Sequence, residues 1–439
     1  MKYLLMTMFL IFLTFVLLGC NTEEEINKTG SDASSSPQQE DEERDSIQLT
    51  MWSYYDDGWD NVIEQFENDN PGVEVELKII PYDEYPSAYM DAFISGDSPD
   101  LVIIDSPHIG DFKVIDGFED LLQEPYLAEQ YKEGFSEALW NMGLSFDQQN
   151  VIGIPYVTSP FLAYYRADIM EEYGFPSDPE ELGLFMEDSN NWLEMARVLA
   201  EDDKYLVQWP MEILTIFESG TGMFDNELNF LRDNDTFLES IELAQTVHRE
   251  DLFSAIDMWG EKGQAAIRNN QFAMLYLGSW GTELLKSWVP EQEGDWRMTR
   301  LPFDVNGWLN SSIISIPAAS SYKEEAWEFI KFASFEHPME GYLSVVNGYL
   351  PARNNENIMD YRNEFLGGQK KQEMLENIMG ETEEPTLTPL DRDGQNIWRE
   401  VLYSSLEWGH SPDEIMQTVR ERLEAELGRD KEIILEFGK

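Results

Sequence analysis

Between residues 47 and 105 the chain switches repeatedly between two hydrophobic periods, and few folds accommodate that pattern. Ile47–Ser53 (IQLTMWS) alternates apolar and polar positions, as a half-buried strand does. Trp59, Val62, Ile63 and Phe66 then recur at helical spacing. Asn70-Pro71-Gly72 makes a turn, because Pro and Gly supply the backbone angles a turn needs. Val73–Ile80 returns to strand and Asp83–Ile94 to helix; Gly96–Asp100 turns again, and Leu101–Ile104 is a short apolar run. Strand, helix, strand, helix, strand requires a parallel sheet with crossover helices, hence an α/β fold. In such sheets ligands bind beyond the carboxyl ends of the strands. Three loops are thereby nominated: Ser53–Asp57, Pro81–Asp83 and Asp105–His108.

The rest of the chain continues in mixed fashion. Val151–Tyr156 reads as a strand, and Phe161–Arg166 is rich in aromatics. Residues 189–202 and 236–248 read as helices, and Glu261–Asn270 as a helix running into a strand at Phe272–Leu277. Asn310–Pro317 is strand-like, Glu324–Phe335 helical, and Asp393–Trp408 and Ser411–Leu427 are two closing helices. With 439 residues the chain exceeds one compact domain and suits two or three.

Charge excludes several classes of partner. Against 86 Asp+Glu stand only 29 Lys+Arg, a net charge of −57. Nucleic acid needs a basic face to displace its counterions, so it is excluded, as is a polybasic membrane patch. Aromatic residues make up 13%, which argues against general disorder. The acidity reads as an adaptation to a salty or alkaline solvent rather than to a ligand.

The amino terminus sets the compartment. Lys2 precedes the apolar run YLLMTMFLIFLTFVLLG at 3–19, the charged and apolar regions of a secretory signal. The run is at the lower limit of a transmembrane span. Leu17-Leu18-Gly19-Cys20 resembles the bacterial lipobox, which implies cleavage before Cys20 and acylation of it. The expected location is the outer face of the cell membrane, held by lipid alone. Residues 21–46, rich in Ser, Gln and Glu, read as a disordered tether. Cys20 is also the only cysteine, so disulfides, a thiolate zinc site and a CxxC pair are excluded.

Several stretches together resemble a known family. They are LTMWS (49–53), FENDNPGVEVEL (66–77), SGDSPDLVIID (95–105), GIPYVTSPFLAYYRADIMEEYGFP (153–176), AAIRNNQFAMLYLGSWG (265–281) and IISIPAASSYKEEAWEFIKF (313–332). In this order they are similar to the extracellular solute-binding proteins of ABC importers, family 1, the sugar-binding group that includes maltose-binding protein. Arg166-Ala167-Asp168 departs from that group's usual Asn-Lys-Asp. The resemblance covers 47–430. It implies a two-lobed, type II periplasmic-binding-protein-like fold with the ligand in the cleft. By analogy the chain crosses between lobes near Ser159, Ser311 and Val346. That assigns 47–160 and 311–346 to one lobe, and 161–310 and 347–439 to the other. It further implies a monomer that delivers a carbohydrate, an oligosaccharide in the first instance, to the transmembrane subunits of an ABC permease, with no cofactor.

A sugar presents apolar faces and a rim of hydroxyls, which suit aromatic rings and carboxylates or amides respectively. Tyr54, Tyr55, Asp56 and Asp57 follow the first strand, and Asp105-Ser106 ends the third. Tyr156 follows Pro155 and either reaches the cleft or packs beneath it. Trp280 lies in Gly278-Ser279-Trp280-Gly281, where glycines free the backbone, and the family's matching Trp is a stacking platform. Trp209, Trp308, Tyr349 and Trp398 complete the candidates; Trp52, Trp192 and Trp327 read as packing. On the same scaffold a polyamine, amino-sugar or peptide is the alternative cargo, with Asp56, Asp57 and Asp105 as its carboxylates. A sensory or adhesive lipoprotein without a transporter is another alternative.

Enzyme classes find little support. Among 86 acids a glycosidase pair could always be chosen, but no pattern names one. His108, His248, His337 and His410 are scattered, and neither HExxH, GxSxG nor a P-loop occurs. Ser320-x-x-Lys323 opens an ordinary helix. No metal site is indicated.

Overall fold

A computed structural model describes residues 46–56, 58–336, 345–353, 359–382, 384–406 and 409–437. The signal, Cys20, the tether up to residue 45, Asp57, His337 and Trp408 lie outside the described residues.

The amino-terminal alternation folds as its periods dictate. Strand β1 (Ile47–Ser53), helix α1 (Trp59–Asp69), β2 (Val73–Ile79), α2 (Tyr85–Ser95) and β3 (Leu101–Asp105) follow one another, and β1 pairs in parallel with both β2 and β3. Helix α3 (Ser106–Phe112) starts directly after β3, with the Asp105 carboxylate accepting the Ser106 N–H. The carboxyl ends of all three strands therefore open on the same side.

Strand β4 (Ile154–Arg166) is the spine of the molecule. The sequence suggests a strand ending at Tyr156, but the structure continues it to Arg166. All thirteen residues are buried, so no polar alternation marks its course. Pro155 and Pro160 are tolerated because the pairing shifts register beside each of them. The first half of β4 pairs with β7 (Trp308–Ser315), which pairs on its other side with β3. The second half pairs with β5 (Met274–Gly278) and β6 (Trp296–Thr299). The strand order is β2-β1-β3-β7-β4-β5, with β6 and β8 (Val346–Asn347) attached to β4.

The cores sort along this spine. One, between β1–β3 and the helix Lys323–Lys331, holds Leu49, Phe66, Ile103, Ile154, Ile314 and Phe329. Beyond Pro160 the alternation of β4 feeds two faces. Phe161, Ala163 and Tyr165 join Trp192, Ile241 and Trp398, whereas Leu162 and Tyr164 join Ile267, Leu285 and Trp296. The fold is the two-lobed, type II periplasmic-binding-protein arrangement with its ligand cleft. Near Ser159 three strands lie side by side: Thr158 pairs with Ser311 on one side and with Val346 on the other, and Ser159 pairs with Asn310. Packing interleaves there, since Trp308 lies in the first core, Tyr349 packs against it, and Val346 lies in the core of β5 and β6.

Candidate functional site

The three nominated loops converge at the carboxyl ends of β1, β2 and β3. Asp105 is 4% exposed and accepts hydrogen bonds from Tyr82 Oη at 3.0 Å and Asn310 Nδ2 at 3.2 Å. Tyr54 Oη lies 2.8 Å from Ser312 Oγ. The Tyr54 ring stacks on Tyr85 at 5.2 Å and meets the Tyr82 ring edge-on at 5.3 Å. His108 closes the group, 5.3 Å from Tyr85 and 5.9 Å from Tyr82. Burial pushes the Asp105 carboxyl up to about 6, although its hydrogen bonds pull the other way. Burial and the neighbouring Asp105 charge hold Tyr54, Tyr82 and Tyr85 well above the usual phenol range. Burial lowers His108, with the Arg392 charge adding to the effect. Arg392 lies beside α3, where it pairs with Asp111 at 3.1 Å.

A second cluster forms at the carboxyl end of β5. Tyr205 bridges in parallel to Phe272, so the segment leading to Trp209 runs alongside β5. Glu212 is hydrogen-bonded to the backbone N–H and the side-chain amide of Gln208, and burial pushes its carboxyl up to about 7. Trp209 is 40% exposed. Trp280 is half-buried at the start of the helix Gly281–Trp288. Its indole nitrogen folds back over Gly278, where a Cβ would lie 2.5 Å from both that nitrogen and Ser159 Oγ. Gly278 is therefore required as a glycine, and Trp280 sits against the β4–β7 spine. Ser159 Oγ accepts the Ser279 N–H at 2.8 Å, which fixes the turn.

Other candidates occupy different places. The Tyr55 hydroxyl is bonded to that of Tyr156, which is fully buried beneath it. Asp56 is exposed. Ser106 is buried, and its Oγ accepts the Ser311 N–H at 3.2 Å, tying α3 to β7. Trp308 is buried and donates to Ser311 Oγ at 3.0 Å. Tyr349 joins a separate aromatic group with Phe135, Phe335 and Tyr131. Trp398 is fully buried, donating to Glu218 Oε1 at 2.6 Å and meeting Phe237 edge-on.

Sequence reasoning missed Tyr82, Tyr85, His108, Gln208, Glu212, Trp259, Asn310 and Ser312. Tyr82 and His108 lay inside nominated loops. Asn310 and Ser312 had no local signal, since β7 reaches β3 only by tertiary pairing from some 200 positions away. Among the described residues no group of three or more His, Cys, Asp or Glu is placed to hold a metal ion, and no helix is long and apolar enough to cross a membrane.

The sequence pattern of the family described as bacterial extracellular solute-binding protein matches residues 52–336. The chain belongs to that family. This solute-binding protein is 21% identical over 321 residues to a Brucella abortus protein described only as a binding protein, covering 69% of this chain and 74% of that one. Among solved structures it is similar to the galacto-N-biose/lacto-N-biose I-binding protein of a Bifidobacterium longum ABC transporter, in complex with lacto-N-biose. That match has a TM-score of 0.73 at 15% identity and covers 88% of this chain and 98% of the other. It is also similar to an ABC substrate-binding protein of Listeria monocytogenes in complex with cycloalternan. Here the TM-score is 0.70 at 14% identity, with 88% and 100% covered. At these identities the structural likeness is one of fold. The family is one of substrate-binding proteins rather than enzymes.

Proposed function

We propose that this solute-binding protein captures an extracellular carbohydrate between its lobes and delivers it to an ABC permease, tethered to the outer membrane face by lipid on Cys20. The lobes are 47–160 with 311–346, and 161–310 with 347–439. One observation carries the reading: a hydrogen-bonded carboxylate lies among aromatic rings at the carboxyl ends of β1–β3, and a second lies three residues from the exposed Trp209 alongside β5. Asp105 lies with Tyr54, Tyr82 and Tyr85, and Glu212 beside Trp209. Rings suit the apolar faces of a sugar, and the acceptors suit its hydroxyls. Structural relatives in complex with lacto-N-biose and cycloalternan support the class.

A polyamine is the alternative cargo, because Asp105 is ionised above about 6 and could also hold a cation. A thermal-shift screen of the protein against mono- and oligosaccharides, with spermidine and short peptides as controls, tests the proposal. A saccharide is expected to raise the melting temperature by mass action. A shift only with spermidine or a peptide would overturn the carbohydrate assignment while leaving the fold.

Binding should also depend on pH. Above about 6 the Asp105 carboxylate is ionised and accepts hydroxyl protons; below, it protonates and loses acceptor capacity. Saccharide affinity is therefore expected to fall as pH drops from 8 to 5 in calorimetric titrations. Asp105→Asn should bind weakly, with the Asp105-dependent part of this slope gone. The stability of the empty protein runs the other way. Both carboxyls have folded pKa values above 3.8 and 4.5, so their contribution is full below those values and is lost as pH rises through about 6 to 7. An affinity that stays flat from pH 8 to 5 would contradict Asp105 as a ligand acceptor.

A further inference from the structure

Trp259 stands out because it is the most exposed of the described tryptophans, at 55%, yet it is firmly held. Its loop is pinned to the Trp209 segment: Ala255 N–H donates to Gln208 O at 3.0 Å, and Met258 N–H to Gln208 Oε1 at 2.8 Å. Met258 beside it is buried, and Gly263 of the following helix packs so closely on Asp257 and Met258 that a Cβ there would collide with their backbone. The Trp259 ring is braced by Trp288, edge-on at 5.7 Å and 86°, and lies 5.9 Å from the Trp280 ring at 40°. A rigid indole, supported by two partly buried rings and left open to water, continues the Trp280 surface outward. Its separation from Trp280 is about the width of one sugar ring. It loses little side-chain freedom on binding, because its neighbours already hold it.

We propose that Trp259 is an outer stacking ring for a second sugar unit, so that the cargo is a saccharide of two or more units with one unit on Trp280 and the next on Trp259. This rests on the carbohydrate reading above. The occupant is a saccharide rather than a protein, because the Trp259 loop is fastened to the Gln208 side chain next to the exposed Trp209, so that open rings lie beside amide and carboxylate groups. Trp259 thus sets chain length, while Trp280 sets whether any sugar binds.

Calorimetric titration of the protein with glucose, maltose and maltotriose, and with galactose and β-1,6-galactobiose, tests this. The wild type is expected to gain roughly tenfold or more in affinity from one unit to two in at least one series. Trp259→Ala should remove that gain and leave the monosaccharide within about twofold; Trp259→Phe should keep part of it; Trp280→Ala should weaken both. A Trp259→Ala protein that keeps the full gain, or loses mono- and disaccharide affinity equally, overturns the role of Trp259 while leaving the carbohydrate reading intact. A wild type that binds both units of a series equally also overturns it. A wild type that binds none of these sugars, and no other saccharide in the thermal screen, overturns the carbohydrate reading and this inference with it.

Discussion

Replacing Trp280 with Ala is expected to weaken saccharide binding by roughly thirtyfold, the effect of removing about 2 kcal/mol from a central aromatic contact. The ring is half-buried against the β4–β7 spine, with its indole nitrogen over Gly278, and it is the ring from which the second cluster extends to Trp259. Its loss removes an apolar platform that no neighbour can replace, since Trp288 touches Trp259 rather than the Gly278 turn. Trp280→Phe keeps a smaller ring in place and should lose less. Calorimetry at a temperature well below melting separates this from instability. An affinity within threefold of wild type would remove Trp280 from the site.

Trp398→Ala should do the reverse, lowering stability while leaving binding alone. Trp398 is fully buried, packs edge-on against Phe237 and lies 5.7 Å from the Arg232 guanidinium. Truncating a buried Trp costs about 3–5 kcal/mol through lost burial and the cavity left behind. Glu218 also loses the indole N–H donor at 2.6 Å, which adds the cost of a partly buried acceptor with one partner fewer. Denaturant unfolding should show the midpoint fall at nearly unchanged slope. Saccharide affinity of the folded fraction should match wild type. A variant as stable as the parent that binds weakly would instead place Trp398 at the ligand.

These two tryptophans show what local sequence reveals. Trp280 is flanked by glycines at the end of a strand, and the structure explains both features: the strand end faces the cluster, and Gly278 makes room for the folded-back indole. Trp398 sits with Ile397, Val401 and Leu402, all buried, so the helical stripe around it already argued for core. The opening strands and helices were legible because their periods differ, and each boundary falls within two residues of expectation. Asp105 was legible as a carboxylate at a strand end. The length of β4 was not, because a strand buried on all sides carries no alternation and its prolines read as ends. Neither was the insertion of β7 between β3 and β4, which brings Asn310 onto Asp105. The Asp105 cluster is assembled by that tertiary pairing, and no short stretch of sequence records it.

The most direct test of the central claim is a crystal structure of the protein with the saccharide that raises its melting temperature most. It should show a sugar ring stacked on Trp280 and a hydroxyl within hydrogen-bond distance of the Asp105 carboxylate. A saccharide bound instead in the roughly 410 Å³ pocket lined by Arg297, Arg300, Lys370 and Met374, with Trp280 and Asp105 untouched, would contradict the account.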